Sequence, residues 1–276
     1  MRDLPSVLIT GAGRGIGRVT ALALAEAGWD VIAGVRKEAD GAAIARPGVT
    51  PVLLDVTDPE QVAGLGAALP ATLDAVVNNA GIVVSGPLET VPLDDLRRQL
   101  DVNVVAQMAV TQAVLPRLRA SRGRIVFVSS VSGRVSTPFT GPYNASKFAI
   151  EALADALRIE LRPWSIAVSL VEPGSIDTDL WRGALDVADT TEAALSPEHR
   201  ALYGERFVGM RKAIRRTQKQ TSPPEKVAAA VLKALTDDRP RARYLIGADA
   251  RVQVALRAAL PTRAFDAAVS RLTGGQ

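Results

Sequence analysis

An apolar run from Val7 to Ile9 leads through Thr10 into Gly11, Gly13, Gly15 and Gly17, and then into the alanine-rich stretch Val19 to Ala27. That is strand, glycine turn, helix, and it commits the chain to a fold in which a buried strand hands directly to a helix. An ordinary strand-to-helix turn is the plainer reading of a glycine cluster, but four glycines in seven residues exceed what turn geometry needs. Lacking Cβ atoms, such a turn lets backbone N–H groups approach a pyrophosphate, to which the helix N-terminus offers partial positive charge. The common G-x-G-x-x-G fingerprint would need glycine at position 16, where Ile16 stands; Gly11, Gly15 and Gly17 give G-x-x-x-G-x-G instead. No G-K-[ST] follows, which excludes a P-loop.

Strand-like apolar runs continue at Val31 to Val35, Thr50 to Leu54, Ala75 to Val77, Arg124 to Ser129, Ala167 to Val171 and Tyr244 to Ile246, with helical stretches between them. This βαβ rhythm predicts an α/β, Rossmann-like doubly wound parallel sheet of seven strands with helices on both faces. A chain of 276 residues that is 47% hydrophobic can bury one large core, and we expect a single domain over 1–276. No uninterrupted apolar run reaches membrane-spanning length, and Met1, Arg2 and Asp3 lead straight into a strand, so neither a membrane span nor a signal peptide is expected and the location reads as cytoplasmic. Zero cysteines exclude disulfides and thiolate chemistry, and a single histidine argues against a multi-histidine metal site; we assign no metal ligand. His199, in S-P-E-H-R, reads as a solvated loop or helix-start residue.

In the run Y-N-A-S-K, Tyr143 and Lys147 stand four positions apart on one helical face. A free phenol titrates near pH ~10. An ammonium held beside it favours the phenolate and brings proton exchange toward neutral pH. The spacing alone also fits a solvated neighbour pair, so the context decides. Asn78, Asn79, Ala80 and Gly81 spell N-N-A-G; Asn103 sits in D-V-N-V-V; Ser130 lies thirteen residues before Tyr143; Pro173, Gly174, Ile176 and Thr178 fall in E-P-G-S-I-D-T. In this order, and with the glycine turn, these segments resemble the short-chain dehydrogenase/reductase family over roughly 7–247, and K-F-A-I-E-A-L and V-E-P-G-S-I-D-T look like its steroid- and retinol-dehydrogenase branch.

The resemblance implies an oxidoreductase that moves hydride between a nicotinamide cofactor and an alcohol or carbonyl. It places Thr10, Gly11, Gly13, Arg14, Gly15, Ile16 and Gly17 on the cofactor, Asp55 and Val56 at its adenine side, and Asn79, Ala80 and Gly81 along it. Pro173, Gly174, Ile176 and Thr178 would face the nicotinamide. Tyr143 becomes the proton donor and acceptor. Lys147 lowers its pKa and hydrogen-bonds the nicotinamide ribose, Ser130 stabilises the substrate oxygen, and Asn103 holds a water linking Lys147 to solvent. Ser129 and Ser132 read as structural.

The cofactor's phosphate state follows from charge. The second strand ends Val35, Arg36, Lys37, with no carboxylate to repel a 2′-phosphate; Arg36 can pair with one bidentately and Arg14 points from the glycine turn. NADP(H) is favoured. NAD(H) stays open, because Arg36 and Lys37 also read as a solvated loop and Asp40 follows closely.

The segment 179–222 is expected to form a substrate lid. Trp181, Leu185, Leu202, Tyr203, Phe207 and Met210 either line an apolar pocket or form the lid's own core; Phe139 to Pro142 and Ile82 to Leu88 would complete the walls. An apolar lid favours a lipophilic alcohol or ketone. Its basic residues Arg206, Arg211, Lys212, Arg215, Arg216 and Lys219 read first as a solvated helix face, with Arg211, Arg215 and Lys219 aligned; an acidic ligand is the sharper alternative. A net charge of +4 without aromatic interleaving does not support nucleic acid. A helical extension at about 249–273 is amphipathic, which suggests core packing or oligomer contact ahead of peripheral membrane attachment. The long helical patterns Pro92 to Ala120 and Pro142 to Arg162 resemble the family's homodimer or homotetramer interface, although Ile150, Leu153, Leu157 and Leu161 also suit packing on the sheet. A nucleotide-binding scaffold or sensor without turnover, and a dehydratase or epimerase, are the other classes.

Overall fold

A computed structural model of the chain describes residues 4–273; Met1, Arg2 and Asp3, on which the expectation of no leader segment rests, lie outside them. Seven strands, β1 (Ser6–Ile9), β2 (Asp30–Val35), β3 (Val49–Leu53), β4 (Ala75–Asn78), β5 (Arg124–Val128), β6 (Ala167–Pro173) and β7 (Arg243–Ile246), form one parallel sheet in the order β3-β2-β1-β4-β5-β6-β7. The helices are α1 (Gly15–Glu26), α2 (Glu38–Ile44), α3 (Pro59–Ala68), α4 (Leu93–Leu100), α5 (Ala106–Ser121), α6 (Gly141–Glu160), α7 (Asp179–Arg182), α8 (Ala184–Ala193), α9 (Pro197–Gln218), α10 (Glu225–Thr236), α11 (Ala248–Ala259) and α12 (Thr262–Leu272).

Strand periodicity divides the core in two. Val7, Ile9, Val31, Ala33 and Val77 join Ala21 and Leu24 of α1 and Val227 and Val231 of α10 on one face. Their alternating neighbours Leu8, Ile32, Val76, Ile125 and Phe127 join Val110, Val114 and Leu118 of α5 and Ile150 of α6 on the other. Because both faces are covered, the strands are apolar over consecutive positions, as in Val7 to Ile9, Val31 to Ala33 and Ile125 to Val128, rather than at every second one. Ile150 and Leu161 are spent in this internal core, while Leu153 and Leu157 pack at its edge, so sheet packing accounts for that helical face.

Strand order reverses between β1 and β4, and the crevice outside their carboxyl ends is where open α/β sheets take ligands. The pattern from Pro92 to Ala120 is broken at Asn103: α4 passes through a π turn, Asp101–Val105, into α5. Such a turn re-aims a helix and commonly marks a functional position. Among the described residues no helix is long and apolar enough to cross a membrane.

Candidate active site

Three loops meet at the carboxyl end of the sheet. After β1, Gly11 and Gly15 adopt left-handed φ of 65° and 53°, a conformation that costs other residues energy. The Thr10 hydroxyl accepts the N–H groups of Asn79 and Ala80, both at 3.0 Å, and the Asn79 amide returns the contact by donating to the Thr10 and Gly11 carbonyls at 2.9 and 3.2 Å. A Cβ on Gly17 would collide with the Gly11 oxygen and the Asn79 amide nitrogen, so α1 can start this close to the turn only with glycine there. Ile16 packs against the core from the same turn. Arg14 and Arg36 are exposed, and Arg36 lies near enough to Asp55 to help hold that carboxyl down. The principal cause of that lowering is the Thr57 backbone N–H, donated to Asp55 Oδ1 at 3.0 Å; Asp55 braces its own turn, beside buried Val56. Asp40 was legible only as a caution, yet its carboxylate abuts Gly13, 3.2 Å from where a Cβ would stand.

The loop after β4 is clamped from α4, the π turn and α5. Asn103, fully buried, accepts the Ile82 N–H at 2.9 Å and donates to the Ile82 carbonyl and the Ser146 hydroxyl at 3.0 and 3.1 Å. Gln99, one turn earlier, accepts the Val84 N–H at 2.6 Å, and Gln107, one turn later, donates to the Ala80 carbonyl at 2.9 Å. Asn78 donates to Thr111 at 2.8 Å. Gly81 sits against the Asn103 amide. Gln99, Gln107, Thr111 and Ser146 were missed in the sequence; the 99/103/107 spacing, three amides four residues apart on one helical face, was the signal available.

Ser130 follows β5, and its hydroxyl accepts the Ser132 N–H at 3.1 Å. Ser132 is structural in that sense, while the buried Ser129 hydroxyl has no hydrogen-bond partner among the described residues. Tyr143 and Lys147 lie on α6. Burial pushes the Tyr143 phenol above its ordinary value, and the Ser130 side chain pulls it back. This corrects the sequence expectation in direction: the Tyr143 pKa is raised by burial rather than lowered by Lys147. The lysine Nζ is 5.6 Å from the tyrosine ring centroid and donates to the Val128 carbonyl at 2.8 Å. Its own pKa is lowered to about 8, first by burial, against which Glu151 acts.

Pro173 and Gly174 end β6. Ser175 donates its N–H to Asp249 of α11 at 2.8 Å, and side chains on Gly174 or Gly247 would strike that carboxylate. The helical extension is thus pinned to this loop by Asp249, which the sequence reading passed over. Asp249→Ala leaves the Ser175 N–H without its partner and is expected to cost about 1–3 kcal/mol; an unchanged melting temperature would refute the role. Ile176 is buried and bridges to Ser222, and the Thr178 methyl lies 3.7 Å from where a Gly15 Cβ would be, so the third loop reaches the first.

In the segment 179–222, Phe207 is fully buried, edge-on to Phe139 at 5.0 Å, with Leu195, Tyr203 and Met210 around them. Those residues are the segment's own core. Leu202 is exposed; Trp181 and Leu185 are partly buried. Phe139 holds φ 65°, and its carbonyl accepts the Gly86 N–H at 2.7 Å, joining the two expected pocket walls. Arg211 does not present a free charge: it pairs with Asp189 at 2.7 Å and with Glu192, bracing α8 on α9, whereas Arg206, Lys212, Arg215, Arg216 and Lys219 are exposed. His199 opens α9, capped by Ser196, as its helix-start reading required. In the C-terminal pair, Phe265 is buried under Arg257 while Val252 and Leu256 stay exposed.

Residues 5–187 match the family model for short chain dehydrogenase. The chain is 35% identical to mouse retinol dehydrogenase 5 over 280 residues, covering 96% of this chain and 87% of that protein. It is 36% identical to an NADPH-dependent 3-dehydrocapnine reductase of Ornithobacterium rhinotracheale over 199 residues, 70% of this chain and 68% of the relative. Among solved structures, a short chain dehydrogenase from Burkholderia cenocepacia in complex with NADP shares 28% identity and a TM-score of 0.75, with 99% of each chain covered.

Proposed function

The chain belongs to the short-chain dehydrogenase family, and from that premise we propose that it is an NADP(H)-dependent oxidoreductase interconverting a lipophilic alcohol and its ketone or aldehyde, with Tyr143 as general acid and base. The observation that carries the reading is the grouping of Ser130, Tyr143 and Lys147, with Ser130 on the phenol and Lys147 Nζ 5.6 Å from its ring, at the same carboxyl end of the sheet as a turn in which Gly11 and Gly17 have no room for a side chain. Gly11, Gly13, Gly15 and Gly17 offer a cradle for a pyrophosphate, Arg14 and Arg36 are free to meet a 2′-phosphate, and Pro173 to Thr178 close the far side. When bound, the nicotinamide supplies or accepts the hydride.

Every other task falls to the chain. Tyr143, held protonated by burial, gives its proton to the oxygen of a carbonyl being reduced. Ser130 donates a hydrogen bond to the same oxygen as charge develops there. Lys147 supplies a buried positive charge beside the phenol and resupplies protons. The Asn103 side chain is consumed by Ile82 and Ser146, so its part in any water link to Lys147 falls to the backbone of the π turn.

A lipophilic substrate is supported by the likeness to a retinol dehydrogenase. NADP(H) is supported by the NADPH-dependent relative and the NADP-bound structural neighbour. Asp40 against Gly13 favours the NAD(H) alternative, and the two separate by experiment. Purified protein is titrated with NADPH and NADH, then offered lipophilic ketones and aldehydes. Tight NADPH binding with turnover supports the reading; binding of neither nucleotide refutes it. Arg36→Glu should shift the kcat/KM ratio toward NADH by at least ~10-fold through like-charge repulsion; an unmoved ratio removes Arg36 from the site. We further propose a homo-oligomer through the outer faces of α5 and α6, where Phe148 and Ile159 of α6 are exposed together with Val105 just before α5 and Trp164 just after α6.

A further inference from the structure

Behind Lys147 lies a cluster of charges to which the proposed reaction gives no task. Glu151 stands one turn after Lys147 on α6, and Glu172 is the residue of β6 directly before Pro173; their side chains are 8% and 1% exposed. Arg243 of β7 reaches between them, its Nε 3.0 Å from Glu151 Oε2 and 3.0 Å from Glu172 Oε1, while its Nη2 donates to Asp155 Oδ2 at 2.8 Å. Arg134, just after the Ser130 turn, donates to both Glu172 oxygens at 3.3 and 3.4 Å. Arg158 completes the set by pairing with Asp155 at 2.5 Å.

Each catalytic segment therefore sends one member to the cluster: Arg134 from the Ser130 turn, Glu151 from the Tyr143 and Lys147 helix, and Glu172 from the Pro173 loop. Burying such groups costs several kcal/mol each before pairing, and well-packed apolar side chains would hold the segments together at least as well. Charge itself is what the cluster supplies. Lys147 is 4% exposed and its Nζ rests on a carbonyl rather than a carboxylate, so burial drives it toward the neutral amine. Glu151 opposes that drift from one turn away on the same helix. Glu172 is pushed up to about 7, chiefly by burial and then by Glu151, against Arg134 and Arg243.

We propose that Glu151 is a positioning residue for the reaction: its carboxylate, fixed against Glu172 by Arg243, keeps Lys147 an ammonium and so sets the alkaline limit of activity. The inference rests on the proposed role of Lys147 beside Tyr143. The test is the pH profile of reductive kcat with NADPH for the whole protein and for Glu151→Gln. The alkaline limb of the variant should move down by on the order of one pH unit, while kcat on the acid side stays within about threefold of wild type. Glu151→Asp should restore most of the limb. A kcat lowered evenly at every pH would mean a merely structural role and overturn the inference. Should Glu151→Gln not fold, Glu172→Gln removes the carboxyl that Arg243 holds beside Glu151; a smaller shift in the same direction supports the idea, and a superimposable profile overturns it. Loss of turnover in Tyr143→Phe alongside an unmoved Glu151→Gln limb would sink this inference alone, whereas turnover retained in Tyr143→Phe would take the proposed function with it.

Discussion

Tyr143→Phe is expected to lower kcat by ~10²–10⁴-fold, the range that general acid–base catalysis supplies, while NADPH affinity changes little. The substitution removes one hydroxyl and keeps the ring in place on α6. Burial favours the neutral phenol, so Tyr143 is protonated throughout the neutral range, the form carbonyl reduction needs. Alcohol oxidation needs the phenolate instead. Its rate should accordingly climb with pH toward the raised phenol pKa, while reduction holds until Lys147 begins to lose its proton, around its lowered value of about 8. Steady-state rates in both directions across pH, with fluorescence titration of NADPH for the variant, check these points together. Turnover in Tyr143→Phe close to wild type would remove the phenol from the mechanism.

The direction of the Tyr143 shift is also where sequence reading stopped short. An i,i+4 tyrosine and lysine reveals that two groups share a helical face, not how deeply that face is buried or that the lysine is drawn to the Val128 carbonyl. Local features read well. The glycine turn and the seven apolar runs each depend on neighbours within a few residues, and each appears within a residue or two of its expected place. Pairings across the chain did not. Asp249 meets Ser175, and Arg243 meets Glu151 and Glu172, across 71 to 92 positions, and nothing local in R-Y-L-I-G-A-D-A distinguishes a paired, partly buried guanidinium from a solvated one. The lid shows the intermediate case. Its apolar residues were legible, but whether they face a ligand or one another is decided by Phe139, forty residues before the segment begins and held in a left-handed conformation no pattern foretells.

Gly17→Ala should be nearly as damaging as loss of Tyr143, by a different route. Gly17 has ordinary helical backbone, so alanine there would be welcome on propensity alone. The obstacle is space. The new Cβ would press on the Gly11 carbonyl and the Asn79 amide, the two groups whose 3.2 Å hydrogen bond joins the glycine turn to the loop after β4. The amide can rotate away, but then the Thr10 carbonyl loses its donor as well. The backbone oxygen cannot move without shifting Gly11, itself within 3.0 Å of Ala80 at its own Cβ position. We expect a stability loss of about 1–3 kcal/mol, seen as a fall in Tm of roughly 2–4 °C per kcal/mol. Displacing the turn should also weaken NADPH binding by at least ~10²-fold, since misplacement by about 1 Å is enough for that. Gly64→Ala in α3 is the matching control: nothing lies within 4 Å of its Cβ position, so it should be neutral or stabilising by up to about 1 kcal/mol. Wild-type NADPH affinity in Gly17→Ala would mean that the pyrophosphate is held somewhere other than this turn.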